Sequence, residues 1–153
     1  MTIRTKFVFH QDLKIMDRKI IATAAILGMT AVVLGAFGAH ALKDLLEADK
    51  LVTFETGVRY QMYHALVLLF VGASNILSAK AKKSIYYLCL TGVILFSGSI
   101  FLLATDSLNS INFKAIGFIT PIGGLLLIIG WLVLLVDILR KRENSLGNKT
   151  NLN

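Results

Sequence analysis

The sequence predicts an all-α membrane protein, a four-helix transmembrane bundle. Of its 153 residues, 56% are hydrophobic and only 16% are charged, against roughly 45–50% and about 25% in soluble domains. A soluble chain of this length could not bury so much apolar surface. The charged residues also lie mainly between and beyond four long apolar segments, as in a multi-pass membrane protein.

Four segments without Lys, Arg, Asp or Glu are long enough to cross a bilayer, which takes roughly 20 apolar residues in a helix. These predicted spans are Ile20–Leu42, Tyr60–Ser78, Ser84–Ala104 and Ala115–Val136. Between the first two, Lys43–Arg59 interleaves apolar residues with charges, which predicts a short amphipathic helix at the outer surface. An unbroken continuation of that helix into the second span also fits the pattern.

The two ends of the chain lie outside the predicted membrane domain, residues 16–139. Residues 1–15 precede Met16-Asp17-Arg18-Lys19, which resembles the start of a small membrane protein. This N-terminal extension is therefore expected to be dispensable for insertion, and its being non-native is an open alternative. The tail, residues 140–153, is rich in Asn, Lys and Ser and is expected to be disordered.

The distribution of Lys and Arg predicts the orientation in the membrane. With four spans, the N-terminal segment, the loop after the second span and the C-terminal tail share one side, and they contain twelve of the 16 basic residues. Cytoplasmic loops carry such an excess, so both termini are expected in the cytoplasm. The net charge of +7 then indicates an anionic bilayer surface rather than a nucleic-acid partner.

The second span carries an unusual polar stripe. At 100° per residue, Gln61, His64 and Asn75 fall on the same side of the helix as Leu68 and Gly72. Polar side chains facing lipid would be unsatisfied at a cost of a few kcal/mol each. The stripe is therefore expected to face the bundle, either as interhelical hydrogen bonds or as a polar pocket or relay.

Other polar residues converge on the outer half of the predicted bundle. His64 is expected to contact a polar group of another helix or a buried water. The expected protein partners lie near His40 and Thr120, at the outer ends of the first and fourth spans. Glu55 and Arg59 have the spacing of a helical ion pair, although Arg59 also fits an interfacial anchor. The complete candidate polar cluster is His40, Glu55, Arg59, Gln61, His64, Asn75 and Thr120.

No sequence motif indicates an enzyme, a metal site or a cofactor. The spacing of His40 and His64 matches no ligand motif, and no cofactor is predicted. Nucleotide-binding loops, nucleophile elbows and His-Glu zinc signatures are absent from the sequence. Cys89 stands alone and cannot form an intramolecular disulfide.

Small residues predict where the helices approach one another, because transmembrane helices associate through close backbone contact. Thr120-Pro121 is expected to break the fourth span by removing one amide donor. The candidate packing residues are Gly28, Gly35, Gly38, Gly98, Pro121, Gly123 and Gly124.

Several motifs in this order resemble those of a known family. They are GAFGAHAL (35–42), FETGVRYQMYHAL (54–66), SGSI (97–100), ITPIGG (119–124) and GW (130–131). The chain is similar to the domain of unknown function 423 family, which is related to the transmembrane protein 256 group. The resemblance covers about Met16–Val136 and implies a four-span protein of a bacterial plasma (inner) membrane, or an organellar relative, without an assigned activity.

Three functional hypotheses remain open from the sequence. The first is a non-enzymatic packing, accessory or partner-binding module, whose partners besides the bilayer would be further copies of itself or another membrane protein. The alternative is a carrier or channel subunit for a small solute or ion, with the polar cluster as its outer mouth. An intramembrane enzyme or metal-binding protein is the third.

Overall fold

The computed structural model describes the backbone of residues 3–108 and 116–150, and the side chains of residues 14–108 and 116–140. These parts of the chain are helical. The helices are α1 (Ile3–Phe37), α2 (Ala48–Ala73), α3 (Ala79–Ala104) and α4 (Ile119–Thr150). A π-helical turn, Gly38–Leu42, extends α1, and a 3-10 turn, Asp106–Leu108, follows α3.

Each helix packs mainly against its neighbours in sequence, so α1 lies on α2, α2 on α3, and α3 on α4. The connections from α1 to α2 and from α2 to α3 are short, which makes these neighbours antiparallel. One apolar core, including Ile20, Leu68 and Ile85, lies toward the end of the bundle that contains the N-terminal half of α1. A second, around Leu42 and Phe54, lies toward the opposite end.

Three helices in the described residues are long and apolar enough to cross a membrane: Lys14–Leu42, Ala79–Ala104 and Ile119–Arg140. Helix α2 is not among them, because Arg59, Gln61 and His64 interrupt its apolar sequence. Its 26 residues nevertheless give a length of about 39 Å, and it packs between α1 and α3. The predicted four-helix architecture is therefore confirmed, with α2 as the helix that lacks a continuous apolar stretch of spanning length.

The amphipathic segment Lys43–Arg59 is not a separate surface helix. Residues 43–47 form the turn, and the remainder is the beginning of α2, which continues without a break through the second predicted span. Phe54 is buried with Leu42 and Ala104, and Leu51 and Val58 pack against the same cluster. Part of the apolar stripe of this segment is thus covered by neighbouring helices, whereas Leu45 and Val52 are exposed.

The boundaries of two predicted spans differ from those in the structure. Helix α2 ends at Ala73, so Asn75 lies in the following turn and leaves the predicted stripe. Helix α4 begins at Ile119, so Pro121 lies in its first turn, where the amide would have no intrahelical acceptor. Pro121 therefore does not break the span. Ala115, the first residue of the predicted fourth span, lies outside the described residues.

The helical backbone extends into both predicted terminal segments. Helix α1 already begins at Ile3, within the N-terminal extension. Helix α4 continues to Thr150, where the sequence predicts a disordered tail. Leu139–Glu143 consists of good helix formers, and lengthening an existing helix avoids the cost of nucleation. Residues 151–153 lie outside the described part of the chain.

Candidate functional site

Gln61 joins α2 to α1. Its side chain is 6% exposed, and its Nε2 donates to the Leu27 carbonyl oxygen at 3.0 Å and to Thr30 Oγ1 at 2.7 Å. Thr30 in turn donates to backbone carbonyl oxygens of α1. The Gln61 amide group therefore forms the interhelical hydrogen bonds that the polar stripe predicts.

His64 lies one turn further along α2 and is 4% exposed, so its expected burial is confirmed. Its Nδ1 lies 2.8 Å from the Tyr60 carbonyl oxygen of the same helix. Because a carbonyl only accepts hydrogen bonds, Nδ1 carries the proton and Nε2 is an acceptor. Nε2 is buried and has no protein partner among the described residues. The expected partners near His40 and Thr120 are therefore wrong.

A second buried polar atom without a protein partner lies on the facing helix. Ser97, on α3, is 1% exposed, and its Oγ makes no hydrogen bond within the described residues. The Tyr60 ring of α2 packs against the Phe96 ring of α3, with the ring centroids 4.9 Å apart. His64 follows Tyr60 by one turn, and Ser97 follows Phe96 directly. An unpaired acceptor on α2 and an unpaired hydroxyl on α3 thus each lie within one turn, along their own helix, of this ring contact.

Thr120 does not belong to the His64 site, since its hydroxyl is bound elsewhere. Its Oγ1 lies 2.6 Å from Ser99 Oγ, and Ser99 also donates to the Phe96 carbonyl oxygen. This hydrogen bond ties the beginning of α4 to α3. Asn75 is exposed in the turn after α2, at the opposite end of α2 from Glu55.

The remaining members of the candidate cluster, His40, Glu55 and Arg59, are exposed. Arg59 Nε donates weakly to the Glu55 carbonyl oxygen at 3.4 Å, and Arg59 Nη2 to Thr56 Oγ1 at 3.5 Å. The two described ion pairs are formed by other residues, so the predicted Glu55–Arg59 pair is not formed.

Glu55 and Arg59 border a crevice between α1 and α2. Its volume is about 260 Å³, and its wall includes Gly35 and Gly38 of α1 with Phe54 and Val58 of α2. A Cβ atom on Gly38 would lie 3.2 Å from the Phe54 ring, and one on Gly35 would lie 3.5 Å from Val58 Cγ1. The glycines therefore bring α1 close to α2 and leave an open depression beside the two charges.

The other predicted packing glycines differ widely in their surroundings. A Cβ on Gly123 would overlap the backbone of Phe96, whereas one on Gly98 would meet no atom within 4 Å. A Cβ on Gly28 would lie 3.9 Å from Ala65 Cβ, and one on Gly124 would lie 3.5 Å from the Phe96 ring. Both are ordinary contact distances. Close approaches also occur at Gly57, Gly72 and Gly92, which are not among the candidate packing residues above.

Three ionic or hydrogen-bonded contacts between elements were not predicted from the sequence. Lys82 Nζ lies 2.7 Å from Asp17 Oδ1, and Lys50 Nζ lies 2.9 Å from Asp106 Oδ1. The Asp137 carboxylate accepts from the Ser78 amide at 2.8 Å and from its hydroxyl at 2.6 Å. The available signal was that all of these charged residues except Lys50 lie just beyond an end of a predicted span.

The chemistry of a metal centre is not assembled in the described residues, where no group of three or more His, Cys, Asp and Glu side chains lies together. The geometry instead defines a class of protein: a multi-pass helical membrane protein whose buried polar groups mostly connect adjacent helices. Sequence comparison gives the family, since residues 34–124 match the family described as protein of unknown function (DUF423). The chain belongs to this family.

Relatives from several bacteria cover most of the chain. It is 40% identical to a UPF0382 membrane protein of Haemophilus influenzae over 119 residues, 78% of this chain and 92% of that protein. It is 37% identical to the UPF0382 membrane protein YwdK of Bacillus subtilis over 118 residues, 76% and 92% of the two chains. Identity to the UPF0382 inner membrane protein YgdD of Escherichia coli is 34% over 135 residues, 87% and 98%. No solved structure matches significantly.

Proposed function

We propose that this chain is a non-enzymatic module of the bacterial inner membrane that binds a partner helix in the crevice between α1 and α2. The observation that carries the proposal is the exposed pair Glu55 and Arg59, which are not joined to each other by an ion pair and flank an open depression beside Gly35 and Gly38. A neighbouring helix could lie along this open depression, and the two charges would fix its register.

The buried polar groups support an assembly role rather than a chemical one. Gln61 bonds α1, Ser99 bonds Thr120 of α4, and Thr23 Oγ1 lies 3.2 Å from the Tyr86 hydroxyl of α3. These groups connect helices that would otherwise be held only by apolar packing. The charges beside the crevice are exposed instead, where a partner can reach them.

The proposed orientation places this crevice on the outer side of the membrane, with both termini in the cytoplasm. The excess of Lys and Arg on the side of the termini supports it. In the structure, the Asp17–Lys82 pair lies near that end of the bundle, while Lys50 and Asp106 lie near the other.

The proposed occupant of the crevice is a second copy of this chain. In a twofold dimer, Glu55 of one copy can face Arg59 of the second copy, and the reverse contact forms by symmetry. Glu55 and Arg59 lie one helical turn apart on α2, so two parallel α2 helices can exchange both ion pairs, as the e and g positions of coiled coils do.

Charge reversal tests this proposal. Glu55→Arg and Arg59→Glu should each weaken dimerisation by about tenfold, because each converts two symmetrical attractions into repulsions. The double variant E55R/R59E should restore dimerisation, since both pairs re-form with exchanged signs. Energy transfer between copies labelled at their C-termini in lipid vesicles would measure the dimer fraction.

The matched control is Asp44→Arg, a reversal at an exposed residue of the preceding turn and outside the crevice. It should leave the dimer fraction unchanged. A protein that stays monomeric at all densities would contradict the proposed occupant. So would a double variant that fails to recover, because the two ion pairs would then not hold the dimer together.

One observation favours the second candidate function, a carrier or channel subunit. The His64 Nε2 and Ser97 Oγ atoms are buried without partners in the described residues, and a water-filled path between α2 and α3 would satisfy both. Proteoliposomes containing the chain would then conduct ions or protons, and His64→Gln would reduce the flux while the fold remained intact. The module proposed above predicts no flux.

A further inference from the structure

A groove of about 390 Å³ lies between the start of α3 and residues 129–140 of α4. It is at the opposite end of the bundle from the α1–α2 crevice and does not depend on the function proposed there. Its volume falls within the range of small-molecule sites, about 300–1,000 Å³. One part of the groove is charged and the other part is apolar.

Two cationic side chains, Lys80 and Arg140, line the charged part, and both are exposed. The acidic residue in the groove, Asp137, has its two carboxylate oxygens engaged by the Ser78 amide and hydroxyl. These hydrogen bonds hold the carboxylate against the α2–α3 turn. The basic groups therefore outnumber the acidic one at the mouth, which suits a ligand with a negative head.

The apolar part is formed by one face of α4, with Ile129, Leu132, Val133 and Val136 spaced as successive turns of a helix. Opposite them, α3 contributes the small residues Ala81 and Ser84, which leave room for an elongated apolar chain. Leu132 and Val136 are 53% and 42% exposed, so the groove is open along the lipid-facing surface of α4. A hydrocarbon chain can therefore leave the groove directly into the bilayer.

We infer that this groove is a binding site for an anionic phospholipid, with the phosphate between Lys80 and Arg140 and an acyl chain along α4. Basic pockets between transmembrane helices are suited to phospholipid head groups, and Arg and Lys pair well with phosphate oxygens. The apolar wall distinguishes this ligand from a free phosphate ion, which would use only the charged end. A zwitterionic lipid would bring its own cation next to the two basic residues.

Binding of lipid to the purified full chain in detergent tests the inference. By native mass spectrometry, dioleoyl-phosphatidylglycerol should be retained in preference to dioleoyl-phosphatidylcholine, which has the same acyl chains. The double variant K80Q/R140Q should weaken phosphatidylglycerol binding about 25-fold, because the loss of each cation weakens it about fivefold. Its binding of phosphatidylcholine should not change.

Two further variants keep the test independent of folding defects. Lys43→Gln removes an exposed cation from the opposite end of the bundle and should leave lipid binding unchanged. Leu132→Trp places a larger side chain in the groove without altering any charge. It should reduce phosphatidylglycerol retention at an unchanged melting temperature, even if the double variant folds poorly.

Two results would overturn the inference. The first is retention of phosphatidylglycerol by both K80Q/R140Q and Leu132→Trp at the level of the unmodified protein. The second is full displacement of phosphatidylglycerol by inorganic phosphate at equal concentration, which would show an anion site to which the acyl chain contributes nothing.

Discussion

Replacing Gly123 with alanine is expected to lower the free energy of unfolding by about 3 kcal/mol, which is the upper end of the usual cost of overpacking. A Cβ at this position would overlap the Phe96 backbone and lie 2.8 Å from its Cα. A backbone cannot rotate aside as a side chain can, so α4 must move away from α3. That movement would also loosen the contact of Gly92 with Leu127. Thermal unfolding in detergent would measure the loss.

The matched control is Gly98→Ala on α3. A Cβ there would meet no atom within 4 Å, and alanine is favoured over glycine in a helix by about 1 kcal/mol. This variant should therefore be as stable as the unmodified chain or slightly more so. If the two alanine variants melted at the same temperature, the close approach of α3 and α4 at Gly123 would be disproved.

Removal of the Asp17 carboxylate is expected to destabilise the protein by about 3 kcal/mol. Asp17 accepts an ion-paired hydrogen bond of 2.7 Å from Lys82, whose side chain is only 8% exposed. In Asp17→Ala the ammonium group would remain buried at the bundle end without its counter-charge. The effect belongs at the lower end of the range for buried pairs, because the Asp17 side chain is 29% exposed.

A double variant separates the ion pair from simple packing. D17L/K82M removes both charges while keeping apolar volume, and it should recover most of the stability lost in Asp17→Ala, because no unpaired charge is left. Lys83→Ala, at the exposed neighbouring residue, should change the melting temperature little. A double variant as unstable as the single one would show that the pair is not the source of the effect.

The sequence was sufficient for the architecture because membrane spans are governed by local composition. The predicted first and third spans end at Leu42 and Ala104, where the π-helical extension of α1 and helix α3 also end. The second span was predicted too far along the chain. Hydropathy depends on the side chains, whereas the bounds of a helix depend on backbone hydrogen bonds. Ala48–Arg59 is therefore helical despite its charges, and α2 ends before Asn75.

The candidate site was predictable only in part. Periodicity along α2 is a local property, so the burial of Gln61 and His64 followed from the sequence. The identity of their neighbours did not, because it depends on how α1 and α3 are positioned against α2. The pairing of Asp17 with Lys82 likewise joins residues on helices that are distant in sequence. Hydropathy and residue spacing do not indicate how two such helices are aligned against each other.

The central claim is that the polar helix α2 crosses the membrane together with the three apolar helices. Four crossings place the two termini on the same side, whereas three would place them on opposite sides. Topology reporters fused after Asn153 and inserted into the turn at residues 43–47 measure this directly. Reporter activity should be cytoplasmic at the C-terminus and periplasmic in the turn. A C-terminal fusion active in the periplasm would contradict the account.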